Sequence, residues 1–419
     1  MSAAYRRQPP WIPPGALVLG QLSHGLSWVL LFALALRGAT RPSPQGLAWI
    51  HLVALGWLTM VALAVLIFAA PNFTDVPLRN ERLARVALYP YAAGVYLMVG
   101  GFWTSRFVVT AWGTAVVAAS IVAYLIPMLR TLGRAAAAAA RAEAAIARAI
   151  AGVLLMLAAA AGLGVAMAWA LEGGIFPELL ERGPAVHAAL AGIGWLTILV
   201  FGVSVQTLGP IAGRRPTQRW RHVAVGIATL AGVLALAGGL ALALLPLAWA
   251  GGALVAAAVT LYIIDVSDVL NHAANPHRPP QAFLAAAVAW LAAAAVLGLG
   301  LLAGAPWQSA YAYAGLMGWL GQMVNGHLHH IPVRLMATMV RGDHDETPPA
   351  QVLSAPLSWL AWGLSQLAVA TGIVALLAAR PEILAAAALC GLGGWCAMAA
   401  NAVVAYRNLQ TPRRTLTLL

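Results

Sequence analysis

The sequence predicts an all-α integral membrane protein of twelve transmembrane helices, set in three four-helix arcs about a pseudo-threefold axis, with both termini in the cytoplasm. Three observations carry this. Of the 419 residues 62% are hydrophobic and only 9% charged, outside the range of soluble globular chains. Apolar runs of about twenty residues, long enough to cross roughly 30 Å of hydrocarbon, recur twelve times along the chain. A short motif recurs three times, as HLVALGWLTM (51–60), HAALAGIGWLTI (187–198) and, more faintly, YAYAGLMGWLGQ (311–322).

The twelve spans fall near 15–36, 47–70, 86–104, 107–128, 149–171, 185–208, 222–246, 251–271, 281–303, 308–331, 355–378 and 383–405. All 24 basic residues are arginine, and 19 of them lie at the termini or in the loops from even to odd spans; only Arg37, Arg41, Arg106, Arg182 and Arg380 lie on the other side. The positive-inside rule then puts both termini in the cytoplasm of a bacterial-type inner membrane. The net charge of +12 reports topology and contact with anionic lipid in the bilayer, and argues against a nucleic-acid partner.

MSAAYRRQPPWIPPG (1–15) lacks a small-residue cleavage site after a short apolar core, so span 1 is expected to be retained. No stretch has the composition of a soluble domain, which leaves 1–419 as one membrane domain. The segment LRTLGRAAAAAARAEAAIARA, after span 4, has the composition of a strong helix former and is expected to prolong spans 4 and 5 into the headgroup region. Cys390 and Cys396 sit in the apolar run of span 12, where packing is their expected role.

Trp57, Trp195 and Trp319 mark the repeats on spans 2, 6 and 10, and Pro71, Pro210 and Pro332 follow them by 14, 15 and 13 residues. Each proline is expected to end its span. The chain thus reads as three units, about 15–128, 149–271 and 281–405, each presenting an equivalent surface to a shared interior.

Twelve spans in three units, with His51 and His187 opening spans 2 and 6, resemble the main subunit of haem-copper oxidases and nitric oxide reductases. The resemblance covers the whole chain in topology and is thin in sequence. It implies a b-type haem held by His51, and it matches His187 to the family's copper ligand on helix 6. The family completes its copper site with a His-His pair after helix 7, whereas this chain reads LALLPLAWAGG there. On span 10 the family's two histidines are replaced by Tyr311 and Tyr313. A three-imidazole copper site is therefore not expected, nor is oxygen reduction by the family's mechanism, and His187 is expected to ligate a second haem or to hydrogen-bond within the outer pore. The second axial ligand of a haem on His51 is expected from Met317, Tyr311 or Tyr313.

Other polar residues in apolar surroundings need partners or tasks. His24, in the middle of span 1, is either a further ligand or a structural residue bonded to Ser23 or Ser27. His327, His329 and His330, in GHLHHIPVR, lie about twenty residues into span 10, roughly 30 Å down at 1.5 Å per residue. That places them at the inner rim, as polar anchors or as a weak metal site completed by Asp343 or His344. Asp265, Asp268 and His272 are spaced to share one helix face, as a proton path or as partners of Arg278 or a neighbouring loop arginine.

The expected function is electron transfer, or chemistry or sensing of a small gas such as nitric oxide or oxygen, with an electron-donor protein or a quinone as partner. The alternative is a haem-free permease or accessory protein handling a small solute or a metal ion on the same scaffold.

Overall fold

The computed structural model describes residues 12–138, 141–174, 176–215, 218–342 and 347–411, and every regular element among them is helical. In chain order these are α1 (Pro14–Leu36), α2 (Pro44–Thr74), α3 (Glu81–Trp103), α4 (Phe107–Ala138), α5 (Arg141–Gly173), α6 (Pro177–Ala212) and α7 (Arg219–Ala241). There follow α8 (Leu245–Asn271), α9 (Arg278–Leu302), α10 (308–328), a short α11 (Ile331–Arg341), a single turn α12 (Pro349–Val352), α13 (Ala355–Leu377) and α14 (Pro381–Gln410). Among the described residues eleven helices are long and apolar enough to cross a membrane. The span expected over 308–331 is the one outside that set: its helix carries Gln308, Gln322, Asn325 and His327. The leader at 1–11 and the residues Asp343 and His344 lie outside the described residues.

Helix starts follow from local chemistry. Proline opens the first turn of α1, α2, α6, α8, α9, α13 and α14, where its missing N–H costs nothing. Ser43 also caps α2, its hydroxyl accepting from the Gly46 N–H at 3.0 Å. The helix-rich segment after span 4 is helical up to Ala138 and again from Arg141, as its composition requires. The expectation that Pro71, Pro210 and Pro332 end their spans is corrected. Pro71 and Pro210 lie inside α2 and α6, each near the last turn, and Pro332 opens α11. A proline so close to a C-terminus removes one backbone bond and leaves the rest of the helix intact.

All three copies of the motif wind as π-helix, over Leu52–Thr59 in α2, Ala189–Thr197 in α6 and Ala314–Leu320 in α10. Such segments are rare and strained, and persist where the surroundings hold them. Here the glycine before each tryptophan admits a neighbouring helix. A Cβ on Gly56 would stand 3.0 Å from Ser23 of α1, one on Gly194 3.4 Å from Met156 of α5, and one on Gly318 2.8 Å from Trp290 of α9. The carbonyl of Leu55, which takes the Met60 N–H within its helix, also accepts from the Tyr91 hydroxyl at 3.0 Å.

The three indoles are fully buried. Trp195 donates its Nε1–H to Thr59 Oγ1 at 3.0 Å, and Trp319 donates to Thr197 Oγ1 at 3.2 Å. Each indole therefore reaches the threonine two residues past the tryptophan of the preceding copy. The third copy reads Gly-Trp-Leu-Gly, so Trp57 has no such hydroxyl on α10; a Cβ on Gly321 would stand 3.1 Å from its Cη2.

The ends of the chain close on each other. Trp395 of α14 covers Gly25 of α1 and donates to the Gln21 carbonyl at 2.9 Å, while Trp28 of α1 covers Gly391 of α14. Small residues under large rings bring helices together where lipid offers no hydrophobic drive. Arg341 of α11 donates to the carbonyls of Asn408, Leu409 and Thr411, capping the last turn of α14. Cys390 and Cys396 are free thiols.

Candidate functional site: a histidine pair between two helices

His51 is the last residue before the π segment of α2, and His187 lies two residues before that of α6. Their rings stand with centroids 6.2 Å apart, tilted by 32°. His51 Nδ1 lies 2.8 Å from the Leu47 carbonyl of its own helix, and His187 Nδ1 3.0 Å from the Ala160 carbonyl of α5. A carbonyl can only accept, so Nδ1 carries a proton in both rings, and Nε2 has a free lone pair whenever the ring is neutral. Gly164 on α5 makes room for His187: a Cβ there would stand 3.2 Å from the imidazole Cε1. The other neighbour of His51 is Phe102 of α3, stacked at 5.3 Å.

Two imidazoles with Nδ1–H fixed by carbonyls and Nε2 available form the donor set that a haem iron takes, the second bond fixing tautomer and ring direction. The donor atoms are those such a group takes, while the cavity lined by Leu19, Ser23, Gly56, Met60 and Tyr96 lies apart from both rings. Sequence reasoning marked both histidines but did not join them. The signal was in the spacing: His51 precedes its tryptophan by six residues and His187 by eight. That offset of two residues rotates the second imidazole by roughly 200° on a helix.

The other expected ligands lie elsewhere. Tyr313 stacks on Trp49 at 5.6 Å and donates to the Ala368 carbonyl of α13 at 2.9 Å. Tyr311 packs against Gly298 of α9. Met317 is buried in the π segment of α10, its carbonyl taking the Gln322 amide in a chain that runs on through Gln366 to Trp290.

His24 is buried, and its ring stacks on Trp57 at 3.5 Å and 5°. Of the expected bonds to Ser23 or Ser27, the one to Ser27 is present at the His24 carbonyl and not at the ring; Ser23 bonds Leu19 and Tyr96, and the ring accepts at Nε2 from the Trp28 indole at 3.1 Å. An indole one helical turn further on satisfies Nε2 without leaving the helix, while the buried Nδ1 has no partner among the described residues.

The three histidines at the end of α10 have separate partners. His327 bonds the Met323 carbonyl through Nδ1, and its Nε2 accepts from Thr207 of α6 at 2.6 Å. His329 bonds the Asn325 carbonyl and packs on Phe283 of α9. His330 lies in the turn between α10 and α11. Among the described residues no three His, Cys, Asp or Glu side chains gather as ligands of one ion.

The proposed acidic face divides. Asp268 and His272 pair with each other at the exposed end of α8. Asp265 is buried and takes His222 Nδ1 of α7 at 3.0 Å and Arg221 at 3.7 Å. Arg278, a partner considered from sequence, instead bonds Gln281. His222 was missed, because nothing in the sequence brings the start of α7 beside the end of α8.

No protein-family model matches the chain, and no characterised protein matches it in sequence. The helices define the class: a multi-pass, all-helical membrane protein in contact with the lipid bilayer.

Proposed function

We propose that the chain is a divergent haem-copper oxidase-like membrane protein that binds b-type haem through His51 and serves electron transfer, or chemistry or sensing of a small gas such as nitric oxide or oxygen. In this reading α10 is the twelfth span beside the eleven apolar helices. The helices form three arcs, α1–α4, α5–α8 and α9–α14, in a bacterial-type inner membrane with both termini inside. The successive Trp-to-Thr bonds from copy to copy, and the matching approaches of α1, α5 and α9 to the motif glycines, support that arrangement.

One observation supports the haem reading: two half-buried imidazoles stand 6.2 Å apart between centroids, each with its Nδ1 at hydrogen-bond distance from a backbone carbonyl. Haem bound here supplies one-electron exchange or a gas-binding iron. The protein orients the ligand ring, keeps its proton on Nδ1 and surrounds it with Phe102 and apolar helix. The reducing partner is an electron-donor protein or a membrane quinone.

The test is a visible absorption spectrum of the purified protein, with haem extracted and identified. A Soret band that His51→Ala abolishes or shifts is expected. A colourless protein removes the haem and leaves the permease or accessory role on the same scaffold.

A further inference from the structure

We infer that α11 is a membrane-surface helix, its apolar side seated at the boundary between acyl chains and headgroups of the bilayer around the bundle. The placement does not rest on the haem reading.

The packing of α10 sets the level at which α11 begins. α10 runs antiparallel along the whole of α9: Gly300 and Gly298 take the rings of Trp307 and Tyr311, Gly318 meets Trp290, and Gly326 meets Leu284 and the Pro280 carbonyl. It therefore finishes level with the first turn of α9, a helix apolar enough to cross the membrane, and α11 starts just beyond, at Ile331. α11 stays at that end of the bundle. Val333 and Ala337 cluster with Ala405 and Leu409 in the last turns of α14, and Arg341 reaches the carbonyls of Asn408, Leu409 and Thr411. Exposed aromatic rings stand at the same end, Trp359 in the second turn of α13 and Tyr406 near the end of α14. Such rings favour the zone between hydrocarbon and water.

The side chains of α11 decide what covers it. In IPVRLMATMVR the polar residues Arg334, Thr338 and Arg341 fall at i, i+4 and i+7, one narrow stripe of the helix. Both guanidinium groups on that stripe bond Thr347, just before α12. Val333 and Ala337 are buried against α14. The remaining arc is Leu335, Met336, Met339 and Val340, apolar throughout, and Met339 and Val340 are 50% and 38% exposed. Met339, two residues before Arg341, leaves the helix on nearly the opposite side from the polar stripe. A helix that stands in water carries polar residues on its free side. Here the free side is apolar, and the apolar medium that reaches the level of Trp359 and Tyr406 is the bilayer that the spans already contact.

The test is depth measurement with nitroxide labels, by electron paramagnetic resonance of the whole protein in vesicles of phosphatidylethanolamine and phosphatidylglycerol. The two free thiols are first removed as Cys390→Ser and Cys396→Ser. Labels then go on Met339→Cys and, separately, Val340→Cys, so that one reading stands should the other variant fail to fold. Val122→Cys, exposed in the middle of α4, serves as the hydrocarbon reference, and the label free in buffer as the water reference. The ratio of oxygen to nickel-complex collisions at Met339→Cys and Val340→Cys is expected to lie several-fold above the water reference and below Val122→Cys. A ratio equal to the water reference puts this face in solvent, and one equal to Val122→Cys puts it inside the hydrocarbon. Labels shielded from both collision partners put a protein on the face, whether a second copy of this chain or another. Each of these three results overturns the assignment.

Discussion

The indole of Trp195 donates to the hydroxyl of Thr59 across two helices, 3.0 Å away and out of reach of water. It ties the second copy of the motif to the first, and Trp319 repeats the bond to Thr197. Thr59→Val leaves a buried N–H without an acceptor, which costs about 1–3 kcal/mol. Trp195→Phe removes donor and ring edge together. A double-mutant cycle in unfolding experiments should return a coupling of about 0.5–2 kcal/mol between these two positions. Strict additivity would show that the bond contributes nothing.

Gly391 sits beneath the face of Trp28, where α14 closes on α1. Gly391→Leu has to expel that ring, so it should destabilise by about 1–3 kcal/mol or more. Gly363, also on the last helical pair, has no atom within 4 Å of its missing Cβ, so Gly363→Leu should leave thermal stability nearly unchanged. Equal losses in a melting experiment would mean that the ring-on-glycine contact is not what closes the bundle.

Asp265 keeps its carboxylate inside the protein because His222 and Arg221 face it. His222→Ala takes away the nearer partner and should cost about 3–5 kcal/mol. Asp265→Asn should cost less, since a neutral amide oxygen can still accept from His222 Nδ1–H and leaves no buried charge. Denaturant unfolding of the two variants checks the order, and a milder effect of His222→Ala than of Asp265→Asn contradicts it.

His277, in the loop between α8 and α9, has a buried Nε2 without a partner among the described residues, and burial lowers its pKa below the usual histidine value. The folded state thus binds the proton less readily than the unfolded chain. This contribution to stability is complete above about pH 6.5 and is lost as the pH falls toward the folded value. Below pH 6.5 stability should fall by at most about 1.4 kcal/mol per pH unit on account of this residue. His277→Gln should reduce the slope by that part. A pH–stability curve with an undiminished acid limb in the variant would remove His277 from the account.

How much of the site was readable in the chain depends on how local the determining contacts are. His51 and His187 stand out because an isolated imidazole in an apolar run demands a partner, and that demand is visible in one dimension. Their meeting is not, because it depends on the azimuth of two residues on different helices. The motif alignment even conceals it, since Gly-Trp-Leu falls in register while the histidines are offset by two positions. His222 is invisible for the same reason. It opens a helix as an ordinary loop-edge residue and becomes a partner of Asp265 only when α7 packs on α8.

Composition and periodicity determine by themselves that this chain is helical and apolar enough for a bilayer. Backbone groups in hydrocarbon have no other partner than their own helix, and twenty apolar residues are needed whatever surrounds them. The sequence also determines where helices begin, because prolines and a capping serine act within one turn. Only the tertiary structure decided that the repeated motif winds as π-helix and that its tryptophans donate to the preceding copy's threonines. It likewise decided that Trp57, deprived of that threonine by Gly321, stacks on His24 instead. Those outcomes turn on which surfaces touch, and contact between residues more than a hundred positions apart is fixed by packing of the whole bundle, not by any local preference of the chain.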